Sequence, residues 1–149
     1  MCIRDSASTR VIKMKYKGTR LITFDFAFTI LAQFGVKPWA IALGSFILVR
    51  KDHVGNIPLL EHELYHLFRQ NKVGFFKWAY LYYTDANFKY DEELCAHAIE
   101  YMSGGKMSII ASTFSGSNYN FGIGYEAAME AILKRVDEIN RGVYKPIES

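Results

Sequence analysis

Residues 10–17, RVIKMKYK, alternate strictly: Ile12, Met14 and Tyr16 point one way, Lys13, Lys15 and Lys17 the other. A period of two is that of a half-buried strand, and the lysines suit a sheet edge, where charge discourages pairing with another chain. Gly18-Thr19 can turn the chain, and residues 20–36 predict a short strand or loop at Leu21–Phe26, then a helix ended by Gly35 and Lys37-Pro38. Residues 40–51, AIALGSFILVRK, are rich in apolar and β-branched types and read as one strand, with Gly44 as a kink or bulge. Beyond this point the period changes from 2 to 3.6. Asn56 is a fair N-cap and Pro58 fits a first turn, so a helix is expected to run to about Gln70 and stop before Gly74. Residues 75–84, FFKWAYLYYT, predict an aromatic helix, and Asp91 is expected to cap another over Glu92–Met102, closed by Gly104-Gly105. Residues 103–123, rich in Gly, Ser and Asn, are long for a structureless loop and are expected to form a hairpin or a flap. Tyr125–Asn140 carries a clear apolar stripe from Tyr125 to Ile139.

Strands followed by helices, with no compositional break between them, predict one α+β domain over residues 9–149, a small sheet packed on three or four helices. The chain has 149 residues with 50% hydrophobic and 22% charged types, which excludes wholesale disorder. Residues 1–8 are set outside the fold, because MCIRDS reads like a translated sequencing adapter. The net charge of +3 is uneven. Residues 1–51 carry nine Lys/Arg against two acids, or +7, and the remainder nine against thirteen, or −4. A solvated basic face explains this, and no nucleic-acid partner is expected. The uncharged runs Phe26–Val36 and Trp39–Val49 are too short to span a membrane, and the first ten residues lack an apolar leader core. Cys2 and Cys95 form no metal knuckle and no expected disulfide. These features favour a soluble protein in a reducing, cytoplasmic compartment without fixing the compartment.

The chemistry concentrates at His62-Glu63-Leu64-Tyr65-His66. Two histidines four apart on a helix face one way, so both imidazoles reach one metal ion, and the Glu between them sits close enough to act as a base. Chance supplies such a motif in roughly one chain of this length in two hundred at ordinary residue frequencies. On a helical wheel Ile57, Leu60, Leu64, Leu67 and Phe68 gather on one side, predicting a core face, with His62 and His66 opposite and lining a cleft. A catalytic zinc takes three protein ligands and keeps a position for water. The His-x-x-Gly-x-x-His extension is absent, and residues 92–100, EELCAHAIE, offer the third group. There Glu93, His97 and Glu100 share a face, and Ala96 and Ala98 permit close helix approach.

His62–His66 followed by 26 residues and Glu93-Leu94-Cys95-Ala96 resembles the gluzincins, and in particular small His-Glu-x-x-His proteins of phage and bacterial genomes. The resemblance covers residues 40–102. It implies a zincin-like minimal domain, one catalytic Zn2+ held by His62, His66 and Glu93, and Glu63 as general base in the hydrolysis of peptide bonds. Two features depart from the pattern. Arg69 stands where many relatives carry Gln, and the doubled Glu92-Glu93 leaves Glu92 or His97 as the alternative ligand. Tyr82, Tyr83, Tyr90 and Arg69 are candidates to stabilise an oxyanion, and Asp85, Asp91 or Glu100 to orient a ligand imidazole. Two other readings stand beside a peptidase with a peptide or protein substrate. One is a non-catalytic zinc-binding scaffold from a phage or secretion system; the other is a metal-dependent cell-wall amide hydrolase. Residues 116–124, GSNYNFGIG, lack the Gly-Lys-Ser/Thr ending of a P-loop, and Cys95 and His97, two apart on a helix, face away from each other.

Overall fold

The computed structural model describes residues 12–23, 27–29 and 38–146. The segment 1–8 and most of the helix expected after Phe26 lie outside the described residues.

Four strands form one mixed sheet, β1 (Ile12–Tyr16), β2 (Thr19–Thr23), β3 (Ala40–Leu43) and β4 (Phe46–Val49), in the order β1-β2-β4-β3. β1 and β2 make an antiparallel hairpin across Lys17-Gly18, both with positive φ (46° and 80°), a turn that matches strand twist. The lysine-bearing β1 is an edge, as its charge suggests. β2 runs parallel to β4, Leu21 opposite Ile47. The expected single strand over 40–51 is instead a hairpin: Gly44, at φ +59°, reverses the chain, and β3 pairs antiparallel with β4, Ala42 opposite Ile47. The glycine read as a kink is a full turn.

Five α-helices follow among the described residues: α1 (Ile57–Val73), α2 (Phe75–Thr84), α3 (Ala86–Met102), α4 (Met107–Phe114) and α5 (Tyr125–Asn140). Of these, α4 is the one not expected. Asn56 caps α1, its Oδ1 accepting from the Leu59 N–H at 3.2 Å. α3 starts six residues before Glu92. Asp85, not Asp91, is its cap, accepting from the N–H groups of Asn87 and Phe88. Asp91 lies inside the helix and binds Arg135 and the Tyr144 hydroxyl. Residues 103–123 form no hairpin. Gly104, at φ +100°, ends α3, and a Cβ on Gly105 would lie 2.7 Å from Ile110 Cδ1, so the glycine pair lets α4 fold back closely.

Two apolar clusters frame the site. Leu21, Ala40, Ile47 and Val49 of the sheet pack on Leu59 and Leu60 of α1. Leu94 of α3 packs with Ile110, Ala111 and Phe114 of α4 and with Ala128 and Ile132 of α5. Between them α1 meets α3 through Tyr65, Cys95 and Ala96, and the fully buried Ala96 and Ala98 permit that approach. The side chains of Leu60 and Phe114, which are almost or wholly buried, are each worth about 1.5–3 kcal/mol in apolar burial. α1 therefore has neighbours on two sides. Ile57 and Phe68, expected in the core, are 44% and 42% exposed, and the imidazole face meets α3. Among the described residues no helix is long and apolar enough to cross a membrane.

Candidate metal centre

α1 contributes His62, Glu63 and His66, and α3 contributes Glu93, His97 and Glu100, each set spaced to share a helix face. His62 Nε2 is 3.2 Å from His66 Nε2 and 3.6 Å from Glu93 Oε2, and His66 Nε2 is 3.4 Å from Glu93 Oε1. Zinc–ligand bonds of 2.0–2.1 Å in a tetrahedron put donor atoms about 3.4 Å apart, the separation His62 and His66 keep from each other and from opposite oxygens of Glu93; with one donor atom taken from each residue, His62, Glu93 and His97 all lie within 4.8 Å of one another and could hold a metal ion. Glu93 Oε2 is buried with no hydrogen-bond partner, an arrangement that a cation would relieve. Two imidazoles and a carboxylate are also the donor chemistry that zinc takes.

Charge organises the rest. Burial would lower the His62 imidazole, but the Glu100 and Glu93 carboxylates outweigh it and hold that pKa well above the usual value. Burial would raise Glu93 and Glu100; instead His66 and His62 hold Glu93 well below the carboxylate range, and His62 and His97 bring Glu100 down to about 2. His97 is lowered, by burial first and by the His62 charge second. Glu63 is raised by burial, against the pull of His62 and His66 and an N–H donated by Ala42 of β3. Glu100 Oε2 accepts from Nδ1 of both His62 (3.1 Å) and His97 (2.8 Å), which frees Nε2 on each ring. Of the three carboxylates considered for orienting an imidazole, Glu100 is the one in contact.

The doubled acid resolves into two surroundings. Glu92 accepts from Arg69 Nε at 2.7 Å and from Trp78 Nε1 at 3.0 Å, away from the imidazoles. Arg69 is thus a buried ion-pair partner of Glu92. Tyr83 is 83% exposed, and Tyr90 packs on Phe114 and Phe121. The phenols that touch the cluster are Tyr82, donating to Glu93, and Tyr119, donating to His97 Nε2 at 3.2 Å. Burial and the Glu93 charge push both phenols up. Tyr119 carried no sequence signal: it sits in the Gly/Ser-rich stretch and arrives by tertiary folding. His53 stacks on Trp39.

The cluster is enclosed. His62 and His66 are each 5% exposed, Glu63 7%, and Glu93 and His97 each 3%, so little of these side chains reaches solvent. Gln70, one position after Arg69, ties α1 to the sheet: its Nε2 donates to Ala42 O at 3.0 Å and its Oε1 accepts from the Gly44 N–H at 2.7 Å, while Asn71 donates to Gly44 O. Compared with known proteins, the chain matches no protein-family model, and no curated protein or solved structure is significantly similar to it.

Proposed function

We propose that this chain is a zinc-dependent hydrolase of peptide bonds, a minimal gluzincin-like domain in which His62, His66 and Glu93 hold the ion and Glu63 is the general base. The observation that carries the reading is the set of 3.2–3.6 Å contacts that His62 Nε2 and His66 Nε2 make with each other and with the two oxygens of Glu93. A bound zinc supplies Lewis acidity, polarising a carbonyl and lowering the pKa of water.

The chain's own residues do the remainder. Glu63, raised by burial and steadied by the Ala42 N–H, is set to accept a proton from the attacking water and return it to the leaving amine. Glu100 fixes the His62 ring through Nδ1, and Tyr82 holds Glu93. Tyr82 and Tyr119 are the phenols placed to stabilise a developing oxyanion.

Purified protein is expected to hold about one zinc per chain, lost in His62→Ala or His66→Ala. Glu63→Gln should keep the ion and lower hydrolysis by about 10²–10⁴-fold against a peptide library. Full activity in that variant removes Glu63 from the mechanism. The enclosure of all five groups favours a second reading, a metal-binding scaffold without turnover; zinc retained with no cleavage of any peptide or cell-wall amide would select it.

A further inference from the structure

If the centre holds a metal, a fourth protein group stands ready to fill it. His97 Nε2 is 3.9 Å from Glu93 Oε2, and His62, Glu93 and His97 place donor atoms within 4.8 Å of one another. Were His97 to join His62, His66 and Glu93, zinc would be four-coordinate through protein alone, as in structural sites, with no position for water.

His97 is restrained at both nitrogens. Its Nδ1–H donates to Glu100, so the lone pair lies on Nε2, and the Tyr119 hydroxyl donates to that lone pair. Tyr119 lies between α4 and α5, outside any helix or strand, in a stretch where Asn120 and Gly122 have φ of +53° and +70°. Ring contacts fix it there. Tyr119 stacks on Phe121 with centroids 5.4 Å apart and planes within 6°. The Lys89 ammonium lies 5.4 Å from the Tyr82 ring centroid, 5.8 Å from that of Tyr119 and 5.9 Å from that of Phe121. These separations are within cation–π range. Lys89 is one turn before Glu93 on α3, so the cation rises from the same helix face as the ligands.

We propose that Lys89 and Tyr119 are positioning residues that keep His97 out of the metal's coordination sphere. The ammonium pins the Tyr119 ring, the Tyr119 hydroxyl occupies the His97 lone pair, and one coordination position stays open for water and substrate. This rests on the metal reading above. It predicts an unusual sign, because loss of either group lets His97 bind the ion. Affinity then rises as turnover falls, whereas loosened packing alone would weaken binding.

The test measures the zinc Kd by competition with a chromogenic chelator, and the visible spectrum of the cobalt-substituted protein, in folded variants. Tyr119→Phe should bind zinc about tenfold more tightly, a change on the scale of outer-shell effects. Lys89→Met should shift the same way by less, and Lys89→Arg, which keeps the cation, should match the wild type. Adding His97→Ala to Tyr119→Phe should return both Kd and cobalt spectrum toward wild type. Unchanged or weaker binding in Tyr119→Phe overturns the inference, as does tighter binding that survives His97→Ala. If Tyr119→Phe does not fold, equal affinities of Lys89→Met and Lys89→Arg overturn it. Wild-type protein that takes no zinc sinks the metal reading as well; zinc-loaded wild type with an indifferent Tyr119→Phe sinks only the positioning role.

Discussion

Glu92 and Glu93 are adjacent on one helix and equally buried, yet they belong to different kinds of site. Glu92 faces a permanent cation and an indole N–H, and both of its oxygens are satisfied within the chain. Glu93 faces two imidazoles whose charge depends on a proton, and one of its oxygens has no hydrogen-bond partner. A buried carboxylate whose bonds close on themselves holds a fold together. One left a bond short is built for something added later. Adjacent positions on a helix point about 100° apart, which is why two identical side chains serve two ends.

The largest expected effect breaks the first of the pair. Glu92→Ala breaks the buried ion pair with Arg69 and the bond from Trp78 Nε1, and should cost about 3–5 kcal/mol in chemical denaturation of metal-free protein. If its zinc affinity, once refolded, stays near wild type, the two sites are separable. Glu93→Gln should act on the metal instead. Zinc binding is expected to weaken more than about 100-fold, beyond the range of outer-shell changes. Strong zinc binding in that variant would shift the ligand role to His97.

The pH dependence sharpens the contrast in metal-free protein. His62 has a raised pKa in the fold, so its contribution is full below its unfolded value of 6.5 and is lost as pH rises through the folded value. Glu93 and Glu100 are depressed, so theirs is full above 4.5 and is lost as pH falls through their folded values. The contribution of these three groups to metal-free stability should therefore be largest between pH 4.5 and 6.5, and zinc uptake at pH 7 should release the His62 proton, measurable by calorimetry in buffers of different ionisation enthalpy. Uptake with no proton release would contradict the charge assignment. The smallest effect is a control: Asn56→Ala removes the α1 cap and should cost about 1 kcal/mol in denaturation, leaving zinc affinity unchanged.

Legibility in the sequence followed physical range. The α1 motif and the whole of α5 could be read because helical periodicity is local and repeats over many residues. α3 began early because Asp85 and Asp91 both have cap chemistry, and only the position of Arg135 and Tyr144 shows that Asp91 is spoken for. α4 was hidden by its Gly/Ser-rich surroundings; burial of Ile110 and Phe114 overrides that weak propensity. The choice between Glu92 and Glu93 is a rotation about α3, which spacing alone supports only when the partner helix is already placed. Tyr119, 22 residues from His97, is a contact that no local pattern encodes.

The side chains that tie α1 to β3 also decide how this molecule can meet other chains. Gln70 and Asn71 claim Ala42 O and both backbone groups of Gly44, and Glu63 claims the Ala42 N–H. An incoming extended peptide would find those backbone groups of Ala42 and Gly44 already taken, which disfavours lengthening the ribbon of strands at that end of β3. Among the described strands the other rim is β1, where the exposed Lys15 discourages the same pairing.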